Sequence, residues 1–235
     1  MTVPENLDFF KANVDFYSSG YKDFSLRPWE SKIVSLVSGE VLDVACGGGR
    51  VTVPMLENGN NVTGTDFVKE FEAKVRQHEP KFKGKFEFVE AWMYAIPFPD
   101  NTFDTVTCIN SIVYTKNIEG YTKSVVEMAR VLKPGGKLYF TSWNMWHPLW
   151  GASILLNYLL RRAHHFGETS PFFTMDKRTS KGPVHMYVPD PGTIREICST
   201  AGIIGDVYTS DKFMGNNGPL TAFHPILVVA GTKTK

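Results

Sequence analysis

Cysteine is scarce in this 235-residue chain. Cys46, Cys108 and Cys198 are scattered and form no CxxC pair, which excludes a disulfide framework and the usual zinc-ligand spacing and suits a reducing compartment. A surplus of charge is also missing. The formal net charge of +1 lacks the basic excess of a general polyanion binder. Long apolar runs are absent too: LWGASILLNYLL (149–160) is too short for a bilayer, which takes about 20 residues. The start, MTVPENLDFF, has no basic region followed by an apolar one and does not read as a signal peptide. Together these point to a cytoplasmic protein. With 43% hydrophobic and 21% charged residues, no internal repeat and no low-complexity linker, the chain reads as one domain over 1–235.

What is present is an alternation. Strand patterns fall at EVLDVA (40–45), NVTGTD (61–66), KFEFVE (85–90), FDTVTCI (103–109), GKLYFTSW (136–143), DVYTS (206–210) and HPILVVAGT (224–232). Helical spacing covers 49–59, with Pro54 near the first turn and Gly59 as the stop, then 117–132, then 190–202, where Asp190 caps, Pro191 takes the first position and Gly202 lies past the end. Strands alternating with helices predict an α/β fold, a mainly parallel sheet covered on both faces. Two segments break the rhythm. Residues 1–38 are aromatic-rich and helical. Residues 144–188 are far longer than an ordinary α/β connection and hold four of the six histidines.

The stretch VLDVACGGGR (41–50) is the most informative. A dinucleotide fingerprint needs G-x-G-x-x-G, and Thr52 stands at its third glycine; no Gly-Lys-Ser/Thr follows to make a phosphate-binding P-loop. The local alternative is a tight strand-to-helix turn. Acids end the second and third strands, at Asp66 and Glu90, and LKPGG (132–136) precedes the fifth. PFPDNTFD (97–104) and KPGG read as turns and core.

In this order, the DVACGGG loop, EAWMYAIPFPDNTFD and LKPGG resemble the class I S-adenosylmethionine-dependent methyltransferases, in the type 11 branch that includes quinone-biosynthesis enzymes, closely over 38–143 and loosely over 184–232. The resemblance implies a Rossmann-like, doubly wound sheet of seven strands, the last antiparallel, with 1–38 as an N-terminal helical cap and 144–188 as a lid-like insertion between strands 5 and 6. It implies S-adenosylmethionine as cofactor, S-adenosylhomocysteine as product, and no metal. Ala45, Gly47 and Gly49 would let backbone approach the methionyl end. Asp43 would lie near its ammonium or cap the loop, and Asp66 would hold the ribose hydroxyls or cap the next helix. Glu90 would take the adenine amine, Ala91 would offer its N–H to the ring, Trp92 or Met93 would pack on it, and Asn110 would lie near the sulfonium. Tyr21, from the cap, joins the cofactor set.

Methyl transfer needs alignment and exclusion of water, with a base only where the acceptor must lose a proton. Candidates are Tyr17, Tyr114 and His147, the last at a strand C-terminal end; its alternative is a loop-anchoring histidine. His185 is a further candidate, while His164 and His165 beside Arg161 and Arg162 suit a helix end. The 149–160 segment reads as a lid over a small organic acceptor, ahead of a membrane-surface patch or a homodimer contact. The runner-up is a tRNA methyltransferase, for which 158–181 offers five cations against two acids, with phenylalanines. A non-catalytic S-adenosylmethionine-binding subunit is the third reading.

Overall fold

The computed structural model describes residues 6–19, 25–148, 174–179, 182–218 and 220–234. Tyr21, His164, His165 and the 149–160 segment lie outside them. So does nearly all of the 158–181 patch, of which 174–179 are described as backbone alone.

Seven strands form one sheet in the order β3-β2-β1-β4-β5-β9-β8. They are β1 (Glu40–Val44), β2 (Asn61–Asp66), β3 (Phe86–Glu90), β4 (Phe103–Cys108), β5 (Leu132–Trp143), β8 (Ile203–Thr209) and β9 (Ile226–Lys233). β1 pairs in parallel with β2 and with β4, and β5 continues the parallel run; β9 is antiparallel to both β5 and β8. The expected sheet with its last strand reversed is therefore observed.

β1 shows why the sheet is covered on both faces. Leu42 and Val44 join one core with Tyr121 and Val125 of α6 (Ile118–Val131) and Ile194 of α7 (Pro191–Thr200). Val41, just before them, joins a second core with Trp29 and Ile33 of α3 (Pro28–Leu36) and Met55 of α4 (Thr52–Glu57). Successive side chains point to opposite faces, and this strand carries apolar residues on both, so it needs helices on each. The caps follow the sequence. Asn117 accepts the Gly120 N–H at 3.0 Å to start α6, and Asp190 accepts the Gly192 and Thr193 N–H groups at 2.7 and 3.2 Å to start α7.

Three features go beyond the sequence pattern. The fifth strand starts at Leu132, which pairs with Phe103; the register then slips so that Thr105 meets Lys137, and Lys133–Gly136 fill the irregularity, with Gly135 at φ +78°. KPGG thus ends the helix as a turn built into the strand. A helix missed in the sequence, α5 (Phe71–Arg76), follows β2. Within 144–188, β6 (Thr174–Thr179) and β7 (Gly182–Tyr187) pair as a hairpin, and Met186, Tyr187 and Val188 are buried, Tyr187 against Tyr121.

The chain leaves β1 for β2 on one side and passes β4 and β5 on the other. Such a reversal of strand order opens a crevice at the strands' carboxyl ends, where open α/β sheets hold ligands. Over it sits the cap. α1 (Leu7–Ala12) buries Phe9 and Phe10 against Val68 and Phe71. α2 (Val14–Ser19) follows directly. A short α8 (Ser210–Phe213) buries Phe213 in the same core as Trp29 and Ile33 of α3. Among the described residues no helix is long and apolar enough to cross a membrane, and no cluster of three His, Cys, Asp or Glu side chains is placed to hold a metal ion.

Candidate active site

Two cavities open at the crevice. The first, about 140 Å³, is lined by Asp43, Ala45 and Gly47 of the glycine turn, Asp66 and Phe67 after β2, Asn110 after β4, and Phe10 and Tyr17 of the cap. The second, about 740 Å³, lies beside it and shares Asn110 and Tyr114 with it.

Two buried carboxylates face the first cavity. Asp43 accepts hydrogen bonds from the Thr52 and Thr107 hydroxyls at 2.6 and 2.7 Å. Asp66 accepts the N–H groups of Gly47 and Val68, each at 3.0 Å, and so ties the glycine turn to the end of β2. Burial pushes both acids up to about 6, against the pull of these hydrogen bonds. Neither has a cationic side-chain partner among the described residues. Two buried acids around one cavity, unpaired with any cation, favour a positively charged guest.

The backbone is shaped to the same end. Ala45 and Asn110 both take left-handed φ, +55° and +59°, at the two strand ends that meet at the cavity. Such conformations cost energy outside glycine and collect at functional sites. Gly47 also has positive φ, and a Cβ there would meet nothing within 4 Å, so it leaves open cavity space beside the two acids.

Behind the turn is a network the sequence reading did not find. Glu30 of α3 is fully buried and pairs with the Arg50 guanidinium through both oxygens, one contact at 2.5 Å. It also accepts from Asn110 Nδ2 at 3.1 Å and from the Arg27 N–H at 2.8 Å. Gly48 is pressed against the cap as well: a Cβ there would fall 2.9 Å from Ser18 Cα. The signals were Arg50 directly after three glycines and an acid next to Trp29 in the aromatic cap, but nothing in sequence pairs residues 20 apart.

A methyltransferase domain model matches residues 42–140. A demethylmenaquinone methyltransferase from Renibacterium salmoninarum is 30% identical over 209 residues, covering 84% of this chain and 80% of its own length. The chain belongs to the class I S-adenosylmethionine-dependent methyltransferases. A ubiquinone biosynthesis O-methyltransferase from Azoarcus sp. is also 30% identical, over 60% of this chain and 61% of its own length. In fold, the methyltransferase is similar to the CcbJ methyltransferase from Streptomyces caelestis, with a TM-score of 0.71 at 14% identity, covering 97% of this chain and 98% of that one. It is also similar to an S-adenosylmethionine-dependent methyltransferase from Methanosarcina mazei, with a TM-score of 0.69 at 19% identity, covering 89% of this chain and 99% of that one.

The residues of the first cavity fit the methionyl end of S-adenosylmethionine. A zwitterion beside a sulfonium needs both signs, and Asp43, Asp66 and Arg50 all line the wall, with Gly47 leaving room. Several expected residues stand elsewhere. Gly49, at φ +86°, turns its free position onto Val75 and Val53, with the nearest methyl at 2.8 Å, so it serves packing and does not line the cavity. Asp43 caps no loop N–H; threonine hydroxyls occupy it. Asp66 caps the turn at Val68, while Glu70 precedes α5. Glu90 is exposed, the Ala91 N–H expected for adenine donates to the Asp66 carbonyl at 3.0 Å, and Trp92 stacks on Phe67 with centroids 4.6 Å apart. None of the three lines the cavity, whereas Met93 does. Tyr17 and Tyr114 both do, each ring packed on Phe10. His147 lines neither cavity and closes a turn by donating its N–H to the Asn144 carbonyl at 3.0 Å. His185 is described as backbone only, at the Asp176 register of the hairpin. Cys46, expected only to pack, faces the cavity and also fills the space beside Gly64; burial and the acids Asp66 and Asp43 hold its thiol far above the ordinary range.

Proposed function

We propose that this methyltransferase methylates a small organic acceptor seated in the 740 Å³ cavity, with the methionyl end of its cofactor in the smaller one. The observation that carries the reading is the shared wall: Asn110 and Tyr114 line both cavities, so a donor in one and an acceptor in the other would meet there. S-adenosylmethionine brings a methyl group already activated on a sulfonium. The protein's part is to hold, align and keep water out. Asp43 would face the ammonium, Arg50 the carboxylate and Asp66 the ribose diol, while Tyr17 and Phe10 cover the site. Relatives named for demethylmenaquinone and for ubiquinone biosynthesis make ring-bearing acceptors the first class to try. A cytoplasmic setting fits the three cysteines, all buried free thiols.

The test is transfer of a labelled methyl group from S-adenosylmethionine to a panel of hydroxylated aromatic compounds, with tRNA as a parallel substrate. Labelling of a small acceptor is expected. Salt-sensitive labelling of tRNA alone would overturn the reading.

A further inference from the structure

The larger cavity holds a histidine that the sequence reading passed over. His224 and Ser210 both line it, and Ser210 Oγ shares a short hydrogen bond with His224 Nδ1. The backbone of His224 is fixed too, its carbonyl accepting from Asn144 Nδ2 at 2.9 Å. Ser210 is buried at the start of α8. Nε2 has no partner among the described residues and is not sealed from solvent. The ring is thus held by one nitrogen and leaves the other for a guest. The same cavity has apolar lining from Trp29, Trp143, Met214 and Ile226. A planar guest with one polar edge matches that division.

We propose that His224, positioned by Ser210, accepts the proton of a hydroxyl-bearing aromatic acceptor during methyl transfer. This rests on the methyltransferase reading of the neighbouring cavity. The acceptor oxygen forms a bond to the methyl carbon as the carbon–sulfur bond breaks and its electron pair stays on sulfur; the hydroxyl proton passes to Nε2. A serine that accepts from Nδ1–H fixes the tautomer with Nε2 open, which a proton acceptor requires. The titratable groups lining this cavity are Arg27, Tyr114, Asp211 and His224, and of these side-chain types imidazole is the one most often used as a general base. The neighbouring charges are otherwise engaged. Lys32 of α3 donates to the Phe213 carbonyl, Asp206 of β8 accepts from the Tyr208 hydroxyl at 3.0 Å, and Glu30 holds Arg50. Lys212 of α8 is the remaining charge on that element.

The probe is 4-nitrophenol, whose phenolate absorbs visibly, added to the protein loaded with S-adenosylhomocysteine. The parent is expected to ionise the bound probe at lower pH than free solution does. His224→Gln should abolish that shift, leave S-adenosylmethionine affinity unchanged, and lower the transfer rate to a phenolic acceptor about a hundredfold with loss of the rising limb of its pH profile. Ser210→Ala keeps the ring and should move that limb, so it carries the test if His224→Gln does not fold. Unchanged probe ionisation and pH profiles in both variants, or no binding of the probe by the loaded parent, would overturn the proposal. Failure of the parent to bind S-adenosylmethionine would instead overturn the reading beneath it.

Discussion

Asp43 and Asp66 are held in a state that a free carboxylate avoids. Their folded values, about 6, exceed the unfolded value of about 3.9, so the folded chain binds more protons between these limits. The stability they contribute is complete below about pH 4 and is lost as the pH rises through about 6. Asp43→Asn, which cannot ionise, should therefore gain melting temperature relative to the parent as pH rises from 4 to 7; a constant difference would contradict the burial argument. A cationic guest reverses the demand. S-adenosylmethionine affinity should climb as pH passes about 6 and level off above it, measured by calorimetry across that window. Asp43 and Asp66 were legible in the sequence as acids at strand ends. Their threonine and N–H partners were not, because those contacts depend on which strands become neighbours.

At the scale of elements, the cap and the glycine turn act as one piece. α3 reaches the turn through Glu30–Arg50, and α2 through Ser18 on Gly48. Removing one member of a buried ion pair costs about 3–5 kcal/mol because the other charge is stranded. Arg50→Met should lower the melting temperature by about 10 °C, and Glu30→Leu/Arg50→Met should recover most of it. Equal melting of single and double variants would show that the pair is not coupled. Gly48→Ala drives a methyl into α2 and should cost about 1–3 kcal/mol, with faster proteolysis of the N-terminal segment. The strands and their caps could be read from local pattern: Asp190 and Asn117 start helices as their residue types dictate. The KPGG irregularity could not, since the slip between Phe103 and Thr105 is set by the partner strand.

For the molecule as a whole, the order β3-β2-β1-β4-β5-β9-β8 places the ends of β1, β2 and β4 around one crevice. Motif order in the sequence was enough to anticipate that sheet and the smaller cavity's main residues, Asp43, Ala45, Gly47, Asp66 and Asn110. The acceptor side was not legible. It is assembled from α3, α8 and the loop before β9, elements distant in the chain and without a motif, so His224 drew no attention while His147 did. The central claim is that the smaller cavity binds S-adenosylmethionine through its buried acids. Calorimetric titration of S-adenosylmethionine into the parent and Asp66→Ala at neutral pH tests it most directly. Hydrogen bonds to a charged group contribute about 1.5–3 kcal/mol, so the account predicts saturable one-site binding by the parent, weakened about ten- to a hundredfold in the variant. No binding by the folded parent, or equal affinity in the two proteins, would contradict it.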